Sequence, residues 1–152
     1  MGMTLFYPGT FDPFTTGHAN IVQRAVNMGF NVVIGIGKNT NKTPMFSPEQ
    51  RLEAISNYYI GNPNVTVVEY DGLTADAVAK YADGILRGIR NGTDFDYENT
   101  IAHVNRQVNT IETVFLPAIE GYFFVSSTLV KELYKNGEDV SKYVIDTFKP
   151  YL

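Results

Sequence analysis

Short apolar runs recur along the chain, and each one precedes a longer segment whose apolar residues are spaced as on one face of a helix. Continuous apolar runs of this length are typical of strands that are covered on both faces of a parallel sheet. The predicted strands are Met3–Tyr7, Asn31–Gly37, Val65–Tyr70, Ile85–Arg87 and Thr113–Leu116.

The predicted helices are Ala19–Met28, Ser47–Tyr59, Thr74–Tyr81, Phe95–Val108, Ser126–Tyr134 and Val140–Phe148. Strands that alternate with helices favour a parallel sheet with right-handed crossovers. We therefore expect a single α/β domain over residues 1–152, Rossmann-like, with a five-stranded parallel sheet flanked by helices.

Polar residues follow the predicted strands, where the ligand sites of open parallel sheets lie. The second strand leads into Gly37–Pro44, which carries Lys38 and Lys42. The other strand ends lead to Asp71–Thr74, to Arg87–Gly92 with its two arginines, and to the Ser126–Thr128 helix start. Because these loops meet at one edge of the sheet, the pattern predicts an anion site there.

The loop between the first strand and the first helix, Tyr7–His18, carries the most specific chemistry. Glycines at positions 9 and 17 allow backbone N–H groups to come close to a phosphate, with the positive end of the helix dipole behind them. His18 opens that helix, so its ring can share the anion site. The loop therefore indicates a nucleotide site with a candidate catalytic histidine.

Composition limits the classes of protein that fit. The chain has 152 residues, 44% of them hydrophobic, which is enough for a core, and a net charge of −4 that excludes a global basic field for nucleic acid. It has no cysteine, which excludes disulfides, thiolate metal sites and cysteine nucleophiles. No apolar run approaches the roughly 20 residues that span a bilayer. We see no targeting segment and expect a cytoplasmic protein with neither nucleic-acid nor membrane partners.

Each candidate also has a structural interpretation. A histidine that opens a helix is often only a surface cap partner, and Ser126–Thr128 is explained by a plain helix cap. Arg87 and Arg90 can pair with acidic residues nearby in sequence. Both loop lysines can be ordinary solvated charges, and His103 lies mid-helix where a packing or surface role is expected. The acidic candidates for the two arginines are Asp94, Asp96 and Glu98.

Two segments resemble motifs of the nucleotidylyltransferase superfamily. Thr15–His18 resembles its T/HxGH signature, and Val125–Lys131 is similar to its ISSTxxR/K motif. Thr15, where many superfamily members have histidine, points to one branch. Together with Lys42–Phe46, Arg87–Arg90, Asp94–Glu98 and Ser127–Glu132, it resembles the bacterial phosphopantetheine adenylyltransferase family over essentially the whole chain.

The resemblance implies an enzyme that transfers the adenylyl group of ATP to 4′-phosphopantetheine, giving dephospho-coenzyme A and pyrophosphate. The attack is in line, without a covalent enzyme intermediate, and uses Mg²⁺ carried with ATP rather than a metal site of the protein. It also implies a homohexamer. We expect ATP and 4′-phosphopantetheine as the substrates.

The resemblance also implies roles for individual residues. His18 would stabilise the transition state, with Thr10, Lys42 and Arg90 as the other catalytic residues. The phosphopantetheine site would comprise Thr10, Lys42, Thr74 and Arg87. The ATP site would comprise Thr10, Phe11, His18, Gly88, Ile89, Arg90, Glu98, Tyr122, Phe123, Phe124, Val125, Ser126, Ser127 and Thr128.

Two other functions stay open. One is a nucleotidylyltransferase that acts on glycerol phosphate or nicotinamide mononucleotide, although those relatives usually have histidine at the position of Thr15. The other is a regulatory module that binds nucleotide without turnover, against which the presence of His18 argues. A P-loop kinase is excluded because the sequence has no GxxxxGK[ST] run.

Overall fold

A computed structural model describes residues 2–38 and 43–152 of the chain. They form a five-stranded parallel sheet in the order β3-β2-β1-β4-β5, which confirms the predicted fold class. The strands are β1 (Thr4–Gly9), β2 (Asn31–Gly37), β3 (Val65–Tyr70), β4 (Gly84–Ile89) and β5 (Thr113–Pro117).

Five α-helices within the described ranges flank the sheet: α1 (Thr16–Asn27), α2 (Pro48–Tyr58), α3 (Thr74–Tyr81), α4 (Gly92–Asn109) and α5 (Ser127–Lys135). A 3₁₀ helix, Asp146–Tyr151, follows them. The α2 helix starts as its sequence predicts, because Ser47 and Gln50 form a capping box and Pro48 is the first residue of the helix.

The prediction of a helix over Val140–Phe148 is wrong. This segment turns, makes an antiparallel bridge from Val144 to Thr15, and then enters the 3₁₀ helix. The carbonyl of Tyr143 accepts from the backbone N–H of Thr16 at 2.9 Å, so it is not used inside a helix. The i, i+4 spacing of its apolar residues comes from their burial against the core, not from helical structure.

The core has two parts, one on each face of the sheet. Successive residues of a strand face opposite sides, so Leu5 and Tyr7 belong to the larger cluster, whereas Phe6 belongs to the smaller one. The larger cluster includes residues of α1, α2 and α5, and the smaller one includes residues of α3. Both faces of β1 are therefore buried, which explains its continuous apolar run.

The central strand β1 lies at the point where the strand order reverses. It pairs with β2 at six positions, but with β4 only at Leu5–Gly84 and Phe6–Ile85. The ladder between β1 and β4 thus stops before their carboxyl ends. A crevice opens there, at the topological switch point where ligands of such sheets bind.

Candidate active site

A cavity of about 290 Å³ occupies the crevice beyond β1 and β4. Most of the residues that the sequence assigns to the ATP site line this cavity. Those that line it are Thr10, Phe11, His18, Gly88, Ile89, Arg90, Glu98, Tyr122, Val125, Ser126 and Ser127.

A second cavity of about 330 Å³ lies between the carboxyl ends of the strands and α4. Thr74 lines it, and Tyr97 and Ile101 of α4 form part of its wall. Thr10 and Arg87 line both cavities, together with Pro8, Gly9 and Glu98. The two cavities therefore meet at the end of β1.

Some residues predicted for the site lie elsewhere. Phe123 and Phe124 are 52% and 60% exposed, and neither they nor Thr128 line either cavity. Lys42 falls outside the residues that the structure describes. The binding roles of all these residues, like those of the lining residues, stay predictions.

The turn after β1 folds Phe11 back over the strand. Phe11 has φ of 53°, a left-handed conformation that costs a non-glycine residue energy and persists where its surroundings hold it. Its ring packs against Tyr7 and Phe14, and a Cβ on Gly9 would lie 2.7 Å from that ring. Glycine at position 9 is therefore needed for this close approach.

His18 is fixed by the residue that caps its helix. The backbone N–H of Thr15 donates to Nδ1 of His18 at 2.9 Å, and the Thr15 hydroxyl lies 3.1 Å from the same atom. The Thr15 hydroxyl in turn accepts from the His18 backbone N–H. Because Nδ1 accepts a hydrogen bond, the ring proton sits on Nε2. The capping interpretation of His18 is confirmed, and the ring also lines the first cavity.

The surroundings of His18 keep its ring neutral. Burial, together with the nearby charges of Arg87 and Arg90, lowers the pKa of His18 to about 3. The rings of Phe11 and Phe14 lie 5.1 and 5.2 Å away, centroid to centroid. His18 is thus an uncharged N–H donor at neutral pH.

Arg87 makes a bidentate ion pair with Glu98. Its Nε and Nη2 each donate to one carboxylate oxygen at 2.7 Å, and its Nη1 donates to the carbonyl of Pro8 at 2.7 Å. Burial disfavours the charged guanidinium, but the hydrogen bonds and charge of Glu98 more than offset this and raise the pKa of Arg87. A guanidinium has five N–H groups, so one remains on each terminal nitrogen for a ligand.

Arg90 pairs with Asp94 in the first turn of α4, Nε to Oδ2 at 3.1 Å, and its backbone N–H donates to the same oxygen. Asn91 caps the helix by accepting from the Asp94 backbone N–H. The expectation that the two arginines pair with acidic residues of this region is therefore confirmed. Both arginines nevertheless line the first cavity.

The start of α5 closes the far side of the first cavity. Ser126 caps the helix through the Leu129 N–H, so the cap interpretation of this segment is confirmed. The Ser127 hydroxyl donates to the carbonyl of Pro13 at 2.8 Å, which joins α5 to the loop after β1. The positive end of the α5 dipole thus faces the cavity.

Asp12 is a site residue that sequence reasoning missed. It is 2% exposed and accepts hydrogen bonds from the backbone N–H groups of Met45 and Phe46 at 2.8 and 2.7 Å. Its Oδ2 also lies 3.1 Å from Nζ of Lys131 in α5. Asp12 therefore ties three segments together at the cavity wall, and its place in the glycine-bounded loop was the available signal.

Arg51 was also missed. It is completely buried on the inner face of α2, and its Nη1 donates to the carbonyl of Thr10 at 2.8 Å. Its spacing from Ala54 and Ile55, both buried, places it in the apolar stripe of that helix. A charged residue in an apolar stripe indicates a buried hydrogen-bond partner, and this was the available signal.

The structure also bears on the expectations for His103 and for membrane-spanning segments. His103 is exposed on α4, away from both cavities. None of the helices formed by residues 2–38 and 43–152 combines the length and apolar character that crossing a bilayer requires.

Comparisons with known proteins agree with this geometry. Residues 6–133 match the model of the family described as cytidylyltransferase-like. The chain is 45% identical to a phosphopantetheine adenylyltransferase of Prochlorococcus marinus over 147 residues, covering 95% of this chain and 92% of the relative. It is 43% identical to the enzyme of the same name from Porphyromonas gingivalis, covering 93% and 94%.

The fold also recurs among solved structures. A bifunctional NMN adenylyltransferase/ADP ribose pyrophosphatase from Francisella tularensis superposes with a TM-score of 0.67 at 19% identity. The match covers 95% of this chain and 45% of that one, and at this identity it speaks for the fold alone. On the match over residues 6–133 and the identity of 41–45% to curated relatives, the chain belongs to the cytidylyltransferase-like family and, within it, to the phosphopantetheine adenylyltransferases.

Proposed function

We propose that the protein transfers the adenylyl group of ATP to 4′-phosphopantetheine, giving dephospho-coenzyme A and pyrophosphate. The observation that carries the proposal is the junction of two cavities at Thr10 and Arg87. ATP would occupy the cavity that holds His18 and the start of α5, and phosphopantetheine the one beside Thr74. The acceptor phosphate and the α-phosphate would then meet at the end of β1.

Two anionic substrates must be brought together, so the site has to offset their repulsion. Arg87 and Arg90 supply positive charge, and the α5 N-terminus supplies backbone dipoles. Neutral His18 would donate from Nε2 to an α-phosphate oxygen. That hydrogen bond strengthens as charge builds on the oxygen in the transition state, which is the contribution that accelerates transfer.

The reaction needs no nucleophile from the protein. An oxygen of the phosphopantetheine phosphate, already ionised, forms a bond to the α-phosphorus as the bond to the β-phosphate oxygen breaks, and pyrophosphate takes the electron pair. No proton has to be abstracted from the acceptor. This accounts for a site built from carboxylate-paired cations, the N-terminus of α5 and one neutral histidine.

We propose that Mg²⁺ comes with the phosphates of ATP. The carboxylates that line the first cavity already face cationic partners: Asp12 faces Lys131, Asp94 faces Arg90, and Glu98 faces Arg87. These pairings suit a triphosphate that brings its own ion better than a cage of protein carboxylates. The ion would neutralise charge on the leaving pyrophosphate.

We also propose that the protein assembles as a homohexamer. In support, α4 carries an exposed apolar stripe of Tyr97, Ile101, Val104 and Val108, which are 66%, 40%, 52% and 52% exposed. Stripes of this kind mark contacts between proteins. Light scattering after size exclusion would test this: six copies are expected, and Val104→Glu should lower the mass, whereas a monomeric wild type refutes the assembly.

We propose the cytoplasm as the compartment. The chain contains no cysteine, which fits a reducing environment in which disulfides contribute nothing to stability. Fractionation of cells that contain the native protein would test this. Recovery in the cytoplasmic fraction is expected, and recovery with the membrane or secreted fraction would refute the proposal.

Release of pyrophosphate from ATP and Mg²⁺ tests the main proposal, with a panel of phosphorylated acceptors. Phosphopantetheine should support release, whereas glycerol 3-phosphate and nicotinamide mononucleotide should not. Product mass should equal dephospho-coenzyme A. Release with another acceptor only would move the function to a different nucleotidylyltransferase, and ATP binding without release with any acceptor would favour a regulatory module.

A further inference from the structure

Arg51 is the largest fully buried side chain among the described residues. A guanidinium keeps its charge at any physiological pH, and a buried charge is costly unless it is paired. None of the ion pairs formed within residues 2–38 and 43–152 includes Arg51. Core packing alone therefore does not explain why a charged residue is buried at this position.

The hydrogen bond of Arg51 runs to the active-site loop. Nη1 donates to the carbonyl oxygen of Thr10 at 2.8 Å, from α2 to the end of β1. Nε and Nη2 are also buried and have no hydrogen-bond partner within the described part of the chain. Arg51 thus directs its charge at one peptide unit of the loop that separates the two cavities.

That peptide unit joins Thr10 to Phe11. A trans peptide is planar, and its carbonyl and its N–H point in opposite directions. With the Thr10 oxygen held toward buried Arg51, the Phe11 N–H points away from Arg51, and both Thr10 and Phe11 line the first cavity. Within residues 2–38 and 43–152 this N–H donates to no backbone carbonyl.

The conformation of Phe11 requires a restraint on the peptide that precedes it, such as the hydrogen bond from Arg51 to the Thr10 carbonyl. Its φ of 53° is unfavourable for a residue with a side chain, so the loop would relax if the carbonyl of Thr10 were released. Relaxation by rotation of this peptide would bring an oxygen, instead of an N–H, to face the incoming phosphate. A carbonyl oxygen there would repel the anion.

We propose that Arg51 is a positioning residue for adenylyl transfer. It holds the Thr10–Phe11 peptide so that the Phe11 N–H donates to a phosphate oxygen of ATP. Its buried charge forms no ion pair with a carboxylate among the described residues, and it also raises the positive potential at that N–H. The inference rests on the proposed function, because the phosphate oxygen that accepts from the Phe11 N–H belongs to the ATP that adenylyl transfer requires.

Two variants of Arg51 test the inference against a control on the same helix. Arg51→Met removes the donor and the charge, and Arg51→Lys keeps a cation. Ile55→Ala removes buried volume from the same helix but leaves the hydrogen bond between Arg51 and Thr10 in place. Assayed at a temperature where each is folded, R51M should lower kcat about 30-fold with a smaller change in KM for ATP, and R51K should lower kcat by less. I55A should keep kcat within about twofold of wild type at a comparable loss of Tm.

Equal kcat values in R51M and I55A at matched stability would overturn the inference, since Arg51 would then act on folding alone. If neither Arg51 variant folds, the amide resonance of Phe11 in the wild type decides. Titration with ATP should move its proton downfield, as a new hydrogen bond to a phosphate requires, and an unchanged resonance would refute the role. This titration uses ATP alone, so its result is independent of whether phosphopantetheine is the acceptor.

Discussion

The backbone N–H of Thr15 donates to Nδ1 of His18 over 2.9 Å, and this contact leaves Nε2 as the protonated nitrogen of the ring. The same two residues close the N-terminal turn of α1 as a capping box. Helix capping and tautomer selection are therefore one interaction. Thr15, which distinguishes this branch of the superfamily in sequence, holds the ring of His18 through both its amide and its hydroxyl.

His18→Ala should reduce kcat about 100-fold to 1,000-fold, because the lost hydrogen bond is strongest in the transition state. The Kd for ATP should change by less than about threefold. Steady-state pyrophosphate release gives the first quantity and isothermal titration the second. His103→Ala, at an exposed position of α4, is the matched control and should behave as wild type. Equal losses in kcat and in ATP affinity would contradict the role.

The ring of His18 should stay neutral in the free protein from pH 8 to pH 5. Burial lowers its pKa to about 3, so its carbon-bound proton resonances should not titrate in that range. The unfolded chain binds a proton near pH 6.5, so below that pH the folded state loses stability relative to it. This group should contribute a loss of up to about 1.4 kcal/mol per pH unit as pH falls from 6.5 toward 3, and none above 6.5.

Urea unfolding at pH 7 and pH 5 measures that loss. The difference between the two pH values should shrink in His18→Gln, which has no group that titrates there. A wild-type resonance that titrates near pH 6.5 would show that the ring is open to protonation.

Glu98→Gln should raise KM for phosphopantetheine about tenfold and the Kd for ATP by less than about threefold. The reason is that Arg87 loses the carboxylate that holds its Nε and Nη2, and with it the orientation of its two remaining N–H groups. Asp94→Asn, which weakens the equivalent pair at Arg90, is the matched comparison and should affect ATP first. A variant E98Q that weakens ATP more than phosphopantetheine would place Glu98 directly on the nucleotide.

Asp12→Asn should lower the free energy of unfolding by about 1–3 kcal/mol. The amide of asparagine presents N–H groups where the carboxylate accepts from the backbone of Met45 and Phe46, and Lys131 loses its counter-charge. Asp71→Asn, at an exposed position with only a 4.0 Å approach to Lys38, should change stability by less than about 0.5 kcal/mol. Urea unfolding measures both, and equal effects would show that the Asp12 contacts add nothing.

The sheet was predictable because β1 and β2 are covered on both sides, which leaves continuous apolar runs. The partly buried strand β3 is instead rich in β-branched residues. The end of the chain was not predictable from the same signal. Val140, Val144 and Phe148 are buried at helical spacing, but the backbone of that segment makes hydrogen bonds to the backbone of Phe14 and Thr16. A pattern of side chains shows what is buried and says nothing of where a backbone carbonyl finds its partner.

The site was predictable as a set of residues at one edge of the sheet, and the pairing of its two arginines with nearby acidic residues was an open interpretation. Arg87 and Glu98 were assigned to different substrates, yet their ion pair lies at the junction of the cavities. Arg51 was not predicted as a site residue, although its charge in the apolar stripe of α2 was a signal. Its partner, the carbonyl of Thr10, lies 41 residues away, and local spacing does not encode such a contact.

The bridge between Thr15 and Val144 joins two segments that lie far apart in the sequence. Thr15, which caps α1 and holds the ring of His18, is therefore also held by the segment that leads into the 3₁₀ helix. A disturbance of that segment should reach the candidate site through the backbone of the loop after β1.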